Sequence, residues 1–174
     1  MAVDRTRTLR GALAGATAAA VWAAQQPLDR RAFGIAYDDA DLLGRLVARG
    51  RAVYPVGLAL HLLNGALLGA LYANVRSSLP VPAALRGPLA GLVEHVATWP
   101  GTAALARIDE LPRLWGSGRA FAQAAWRHVL FGAVLGELER RLNPPEPEPR
   151  PVDAVTAASN GHGSAEHLVS ISPN

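Results

Sequence analysis

Hydrophobic residues are concentrated in four stretches of this chain, separated by polar loops. Residues 11–28 carry no charge, and residues 52–75 contain no Asp, Glu or Arg and one histidine, His61. The other two stretches are apolar but contain a few ionisable side chains. Because a membrane-spanning helix needs roughly 20 mostly apolar residues, the pattern predicts four transmembrane helices. Their expected bounds are about 9–27, 53–75, 82–106 and 119–141.

Each predicted helix carries two glycines four residues apart, a spacing that places both on one helix face. Such a face lets a neighbouring backbone come close. Helices associate in this way in lipid, where burial of apolar surface does not drive them together. The pairs predict close packing within the chain or between copies in a homo-oligomer. The predicted packing residues are Gly11, Gly15, Gly65, Gly69, Gly87, Gly91, Gly132 and Gly136.

The chain also has the pattern of an internal duplication. Residues 9–15 (LRGALAG) match residues 85–91 (LRGPLAG) at six of seven positions, and the HxxxGxxxG spacing that starts at His61 recurs from His128. Each repeat contains two predicted spans, so both repeats enter the membrane from the same side. We therefore predict an all-α fold in residues 1–142, a four-transmembrane-helix bundle built from two parallel helical-hairpin repeats.

Two further segments lie outside the predicted spans. The loop after the first span contains a helical pattern at about 38–49, which Asp38 or Asp39 is suited to cap. This amphipathic loop helix either lies on the membrane surface or packs on the bundle end, and the pattern leaves both open. Residues 143–174 are rich in Pro and then in Ser, Ala and Gly, and we predict a disordered tail.

Three histidines occupy equivalent places, each one helical turn beyond a glycine pair. Because the third span runs opposite to the second and fourth, we expect these histidines at one depth. Ionisable groups inside a membrane are costly, about 2.5–3.5 kcal/mol for Asp or Arg on insertion scales, so partners are required. An ion pair between Glu94 and Arg127, or a histidine hydrogen bond to Glu94, would supply them. The predicted buried polar cluster comprises His61, Asn64, Glu94, His95, Arg127 and His128.

The ends of the predicted spans carry further signals. Pro27 is expected to end the first helix, and four aromatic residues are expected to form an interfacial belt. Arginines are divided equally between the two sides, but the start of the first span is strongly basic. This start favours both termini in the cytoplasm. The expected belt consists of Trp22, Tyr54, Trp99 and Trp126.

Known catalytic motifs are absent from the sequence, which has no P-loop, no dinucleotide fingerprint, no nucleophile elbow and no cysteine. All 17 basic residues are arginines scattered through loops, which does not indicate nucleic-acid binding. The pattern favours a non-enzymatic membrane scaffold or assembly partner, with the lipid bilayer and a second copy or another membrane protein as partners. No cofactor is predicted.

Two alternative functions depend on the polar cluster. One is a small-solute, ion or proton transporter or channel component that uses the buried histidines and Glu94. The other is a metal- or haem-binding membrane component, because three histidines and a carboxylate are plausible zinc or iron ligands. The spacing of a known metalloenzyme motif is not present.

Several short segments resemble a group of uncharacterised small four-helix membrane proteins of actinobacterial type. They are GALAG at 11–15, QPLD at 26–29, ATWP at 97–100, WRH at 126–128 and GELERRL at 136–142. The resemblance covers about residues 9–142. It implies a helical inner-membrane protein without an assigned activity, and it implies no functional residues.

Overall fold

The computed structural model describes residues 4–105 and 113–144, and these residues form helices joined by short connections. The predicted all-α class is therefore confirmed for the described part of the chain. The predicted tail lies outside the described residues from position 145 onward. The helices are α1 (Arg5–Phe33), α2 (Asp39–Val47), α3 (Val53–Val75), α4 (Ala83–Thr98), α5 (Thr102–Leu105) and α6 (Gly118–Leu142).

Helix α1 extends beyond its predicted bounds at both ends. It begins after Asp4, whose side chain accepts hydrogen bonds from the backbone N–H groups of Thr6 and Arg7. It then passes through Pro27 and ends at Gly34, whose φ of 66° is readily adopted only by glycine. The expectation that Pro27 ends this helix is wrong. A proline removes one backbone donor, and the turn beyond it is held by side-chain contacts of Asp29.

The third predicted span, 82–106, is divided in the structure. Helix α4 ends at Thr98, a 3₁₀ turn follows at Trp99–Gly101, and α5 occupies Thr102–Leu105. Pro100 accounts for the break, because a proline has no N–H to donate to the helix. The second and fourth predicted spans agree with α3 and α6 to within one residue at each end.

Glycines bring the helix backbones together in two antiparallel pairs, α1 with α3 and α4 with α6. A Cβ added to Gly15 would overlap the carbonyl oxygen of Gly65, and one added to Gly87 would overlap that of Gly132. The two lines of contact are termed the glycine seams. Because they join helices of the same chain, the glycine pairs are used in internal packing.

The short helix α2 packs on α3 through glycines as well. A Cβ on Gly57 would overlap the carbonyl oxygen of Ala40, and one on Gly44 would overlap that of Val53. Asp38 caps the helix, since its side chain accepts from the backbone N–H groups of the second and third residues that follow it. Helix α2 thus packs against the bundle.

The four long helices follow one another in the order α3, α1, α6, α4. Helix α1 packs on α3 and α6, and α6 packs on α4. Helices α3 and α4 face each other across a cleft that residues of both helices line.

In the described part of the chain, one helical segment, Gly50–Ser78, is long and apolar enough to cross a membrane by length and composition.

Candidate functional site

A cavity of about 350 Å³ lies among α1, α2, α3, α4 and α6, at the end of the bundle away from the N-terminus. We term it the chamber. Leucines of α2 line it on one side, and Trp22 and Trp99 line it as well. Five residues of the predicted polar cluster also line it, namely His61, Asn64, Glu94, His95 and His128.

Hydrogen bonds to backbone carbonyls determine which nitrogen carries the proton in two of the histidines. The Nε2 of His61 lies 3.1 Å from the carbonyl oxygen of Ala19, and the Nδ1 of His128 lies 2.8 Å from that of Ala124. A carbonyl oxygen only accepts, so each of these nitrogens donates. The neutral rings therefore keep a lone pair on Nδ1 of His61 and on Nε2 of His128.

The third histidine, His95, is 1% exposed. Its ring lies among the rings of His128, Phe121 and Trp99, with centroid distances of 4.9, 4.5 and 5.3 Å. Its Nε2 has no hydrogen-bond partner among the described residues. A buried nitrogen without a partner is costly.

Glu94 faces the chamber from α4. Its Oε2 lies 3.9 Å from the Nε2 of His128, beyond ordinary hydrogen-bond length. The Asn64 amide of α3 interacts with the same carboxyl from the other side of the cleft. The expected contact between a histidine and Glu94 is thus present only as a loose pair, with an open distance between the two groups.

The sequence analysis predicted an ion pair between Arg127 and Glu94. In the structure Arg127 does not pair with Glu94, and it does not line the chamber. It is 0% exposed, and its Nε and Nη2 donate to the two carboxylate oxygens of Asp29 at 2.7 and 2.6 Å. Its Nη1 donates to Asp39 at 2.6 Å, and the guanidinium lies 4.3 Å from the ring centroid of Tyr37. The expectation fails because α1 continues past Pro27 and carries Asp29 to this position.

Other polar side chains complete this Arg127 cluster. Asp29 accepts from the amides of Gln25 and Gln123 at 2.6 and 2.7 Å. Asp39 accepts from the indole N–H of Trp22 at 2.9 Å, and Trp22 is therefore buried in the bundle and is not part of an interfacial belt. Burial raises the pKa of the Asp39 carboxyl, and the adjacent Arg127 acts in the opposite direction. The cluster joins α1, α2 and α6.

The two aspartates of this cluster were missed in the sequence analysis. The available signal was Arg127 itself, a cation in an apolar stretch that has no carboxylate within one helical turn on its own helix. Such a residue requires acidic partners from elsewhere. Asp29 and Asp39 are acidic residues near the ends of neighbouring helices, and they were the available candidates.

A second cavity, of about 410 Å³, adjoins the chamber in the cleft between α3 and α4. We term it the groove. Its lining is mostly apolar, with Leu71 and Val75 on α3 and Leu89 and Val93 on α4. Leu68, Glu94 and Phe131 line both cavities, so the groove and the chamber share a boundary.

The opposite end of the bundle contains a separate polar cluster. Glu139 is 0% exposed and pairs with Arg76, whose Nη1 lies 2.5 Å from its Oε2. Asn143 donates to the other oxygen of Glu139 at 3.0 Å, and Arg76 donates to the Asn143 carbonyl at 2.6 Å. These contacts join the ends of α3 and α6 and line neither cavity.

Among the described residues, no group of three or more His, Asp or Glu side chains is arranged to hold a metal ion.

Comparison of the chain with protein-family models, with curated proteins and with solved structures finds no match. The site therefore has to be interpreted from its own geometry.

Proposed function

We propose that this chain is a four-helix integral membrane protein whose chamber binds a small solute, ion or proton, as a component of a transporter or channel. The first support is the apolar outer surface of the bundle. Leucines and valines that are each at least 40% exposed recur along α1, α3 and α4. An extended apolar surface is unfavourable in water and is solvated by lipid. These residues include Leu9, Leu13, Leu63, Leu67, Leu71, Leu85, Leu89, Val93 and Val96.

The chamber is the observation that carries the proposed function. It gathers Asn64 and Glu94 with three histidines from α3, α4 and α6 in one cavity. Ionisable groups inside a membrane are costly, and where they face a cavity they mark the paths of solutes, ions or protons. Within the chamber, the Oε2 of Glu94 is only loosely paired with the Nε2 of His128, at 3.9 Å.

The same geometry weakens the case for a scaffold. That hypothesis was based on the glycine packing and on the missing catalytic motifs, and the glycine pairs pack against each other within the chain. In the proposed arrangement α1, α3, α4 and α6 cross the inner membrane, and both termini lie in the cytoplasm. The chamber then opens near the opposite membrane surface, beneath α2.

Membrane insertion can be tested with single cysteines, because the chain has none of its own. Leu67→Cys and Val93→Cys place thiols on exposed mid-helix positions, and Arg140→Cys places one near a helix end. In native membranes we expect N-ethylmaleimide to label only the third variant, because a thiol in lipid is not ionised. Labelling of all three at equal rates would overturn the proposed insertion.

Solute passage can be tested in proteoliposomes with three kinds of probe, namely protons followed by an internal pH dye, the cation choline and neutral glycerol. Gly101→Phe is expected to block the chamber, because Gly101 lines it and an added Cβ meets no atom within 4 Å. Gly118→Phe is the matched control, since its added Cβ is equally free and it lies outside the chamber. We expect one probe to pass faster than in empty liposomes, and Gly101→Phe alone to remove the difference. No excess passage of any probe would overturn the proposal.

A further inference from the structure

The chamber is rich in hydrogen-bond acceptors. The Nδ1 of His61 and the Nε2 of His128 carry lone pairs when the rings are neutral, because their other nitrogens donate to carbonyl oxygens. The Glu94 carboxyl group adds two acceptor oxygens to the lining. A ligand group that donates several hydrogen bonds would match this set.

The charges of the chamber favour a cation. Its acidic lining residues are Asp39 and Glu94, and no arginine among the described residues lines it. Arg127 has a formal charge of +1 and pairs with two aspartates, so it balances the formal charge of only one of them. Trp22 and Trp99 also border the cavity, and aromatic faces attract cations. An anionic group would meet carboxylates and lone pairs without a compensating cation.

The groove is an apolar cavity next to the chamber. Glu94, Leu68 and Phe131 line both cavities, so these three side chains form their shared boundary. Groove residues run along α4 from Leu89 to Ala97, a length of about 12 Å at 1.5 Å per residue. Leu89 and Val93 are exposed on the outer surface, so the groove opens toward the surrounding lipid.

We infer that the chamber and the groove together bind a single-chain amphiphile with a protonated amine head. The ammonium group donates to Glu94 and to the histidine lone pairs in the chamber, and the alkyl chain lies in the groove between α3 and α4. This inference rests on the proposed function and names the class of ligand for the same site.

The inference can be tested with a dodecylamine that carries a photoactivatable diazirine in its chain, added to the full-length protein in lipid nanodiscs. After irradiation, labelled peptides are mapped by mass spectrometry. We expect saturable labelling of the groove residues of α3 and α4, prevented by excess dodecylamine. Dodecyl sulfate and dodecanol at the same mole fraction should not prevent the labelling. Unsaturable labelling, or equal competition by all three compounds, would overturn the inference.

Variants separate the contributions of head and tail. Glu94→Gln removes the anionic acceptor, and the loss of a charged hydrogen bond should weaken saturable labelling about tenfold or more. Ala97→Phe and Val75→Phe fill the groove from α4 and α3 and should also remove labelling. Ala84→Phe is the control, because Ala84 is exposed on α4 and lines neither cavity. Unchanged labelling in Glu94→Gln, or in both groove variants, would contradict the inferred pose.

The two experiments also distinguish the inference from the proposed function. If Gly101→Phe blocks passage of a probe in liposomes but dodecylamine never labels the groove saturably, the ligand class is wrong and the proposed function stands. If neither passage nor saturable labelling is observed, both fail.

Discussion

Both ends of this bundle contain a buried ion pair, but they differ in how closely the backbones of the four long helices approach. Toward the termini, bare backbones touch at the glycine seams, as at Gly15 with Gly65 and Gly87 with Gly132. At the other end, charged and aromatic side chains bridge the helices, with Arg127 at their centre. Where backbones touch, no space is left between the paired helices. Where long side chains separate the helices, a chamber forms, so the same chain combines tight packing with a cavity.

Removing the central cation should have the largest effect on the polar end. In Arg127→Leu the carboxylates of Asp29 and Asp39 lose their buried partner, and breaking a buried pair in this way costs about 3–5 kcal/mol. The free energy of unfolding can be measured by titration with dodecyl sulfate in mixed micelles. Arg140→Leu is the control, because that exposed pair with Glu137 should contribute less than about 1 kcal/mol. Equal losses in the two variants would show that the Arg127 cluster does not hold this end.

A side chain introduced into a seam should have the next largest effect. In Gly15→Leu the new atoms overlap the backbone of Gly65, and such overpacking costs about 1–3 kcal/mol or more because the helices must separate. Gly101→Leu is the matched control, since its Cβ has open space. The same titration measures both variants. If Gly15→Leu were as stable as Gly101→Leu, the terminal end would not depend on backbone contact.

These two ends also differ in how far sequence reasoning reaches. The glycine faces could be predicted because they follow from spacing within a single helix, and the shared position of the three histidines follows from the same spacing. The partners of Arg127 could not be predicted in this way. Asp29 reaches it only because α1 continues through Pro27, and Asp39 reaches it only because α2 docks on α3.

The groove illustrates the same limit. Its two walls belong to α3 and α4, which are consecutive long helices but do not form a seam with each other. The hairpin pattern in the sequence identifies which helices pair, whereas an opening between helices depends on the order in which the pairs are placed. The predicted polar cluster was therefore found from its residue types, and its connection to an apolar groove required the three-dimensional arrangement.

The smallest predicted effect concerns α2, which covers the polar end. In Asp38→Ala the backbone N–H groups of Ala40 and Asp41 lose their acceptor, which should cost about 1 kcal/mol because an N-cap is removed. Asp38→Asn keeps the cap but loses the 3.8 Å ion pair with the partly exposed Arg30. Amide hydrogen exchange of α2 distinguishes the two, and we expect faster exchange only in Asp38→Ala. Faster exchange in both would mean that the charge of Asp38, and not its capping oxygen, holds α2 over the chamber. No change in either would mean that packing of Gly44 and Gly57 alone retains this helix.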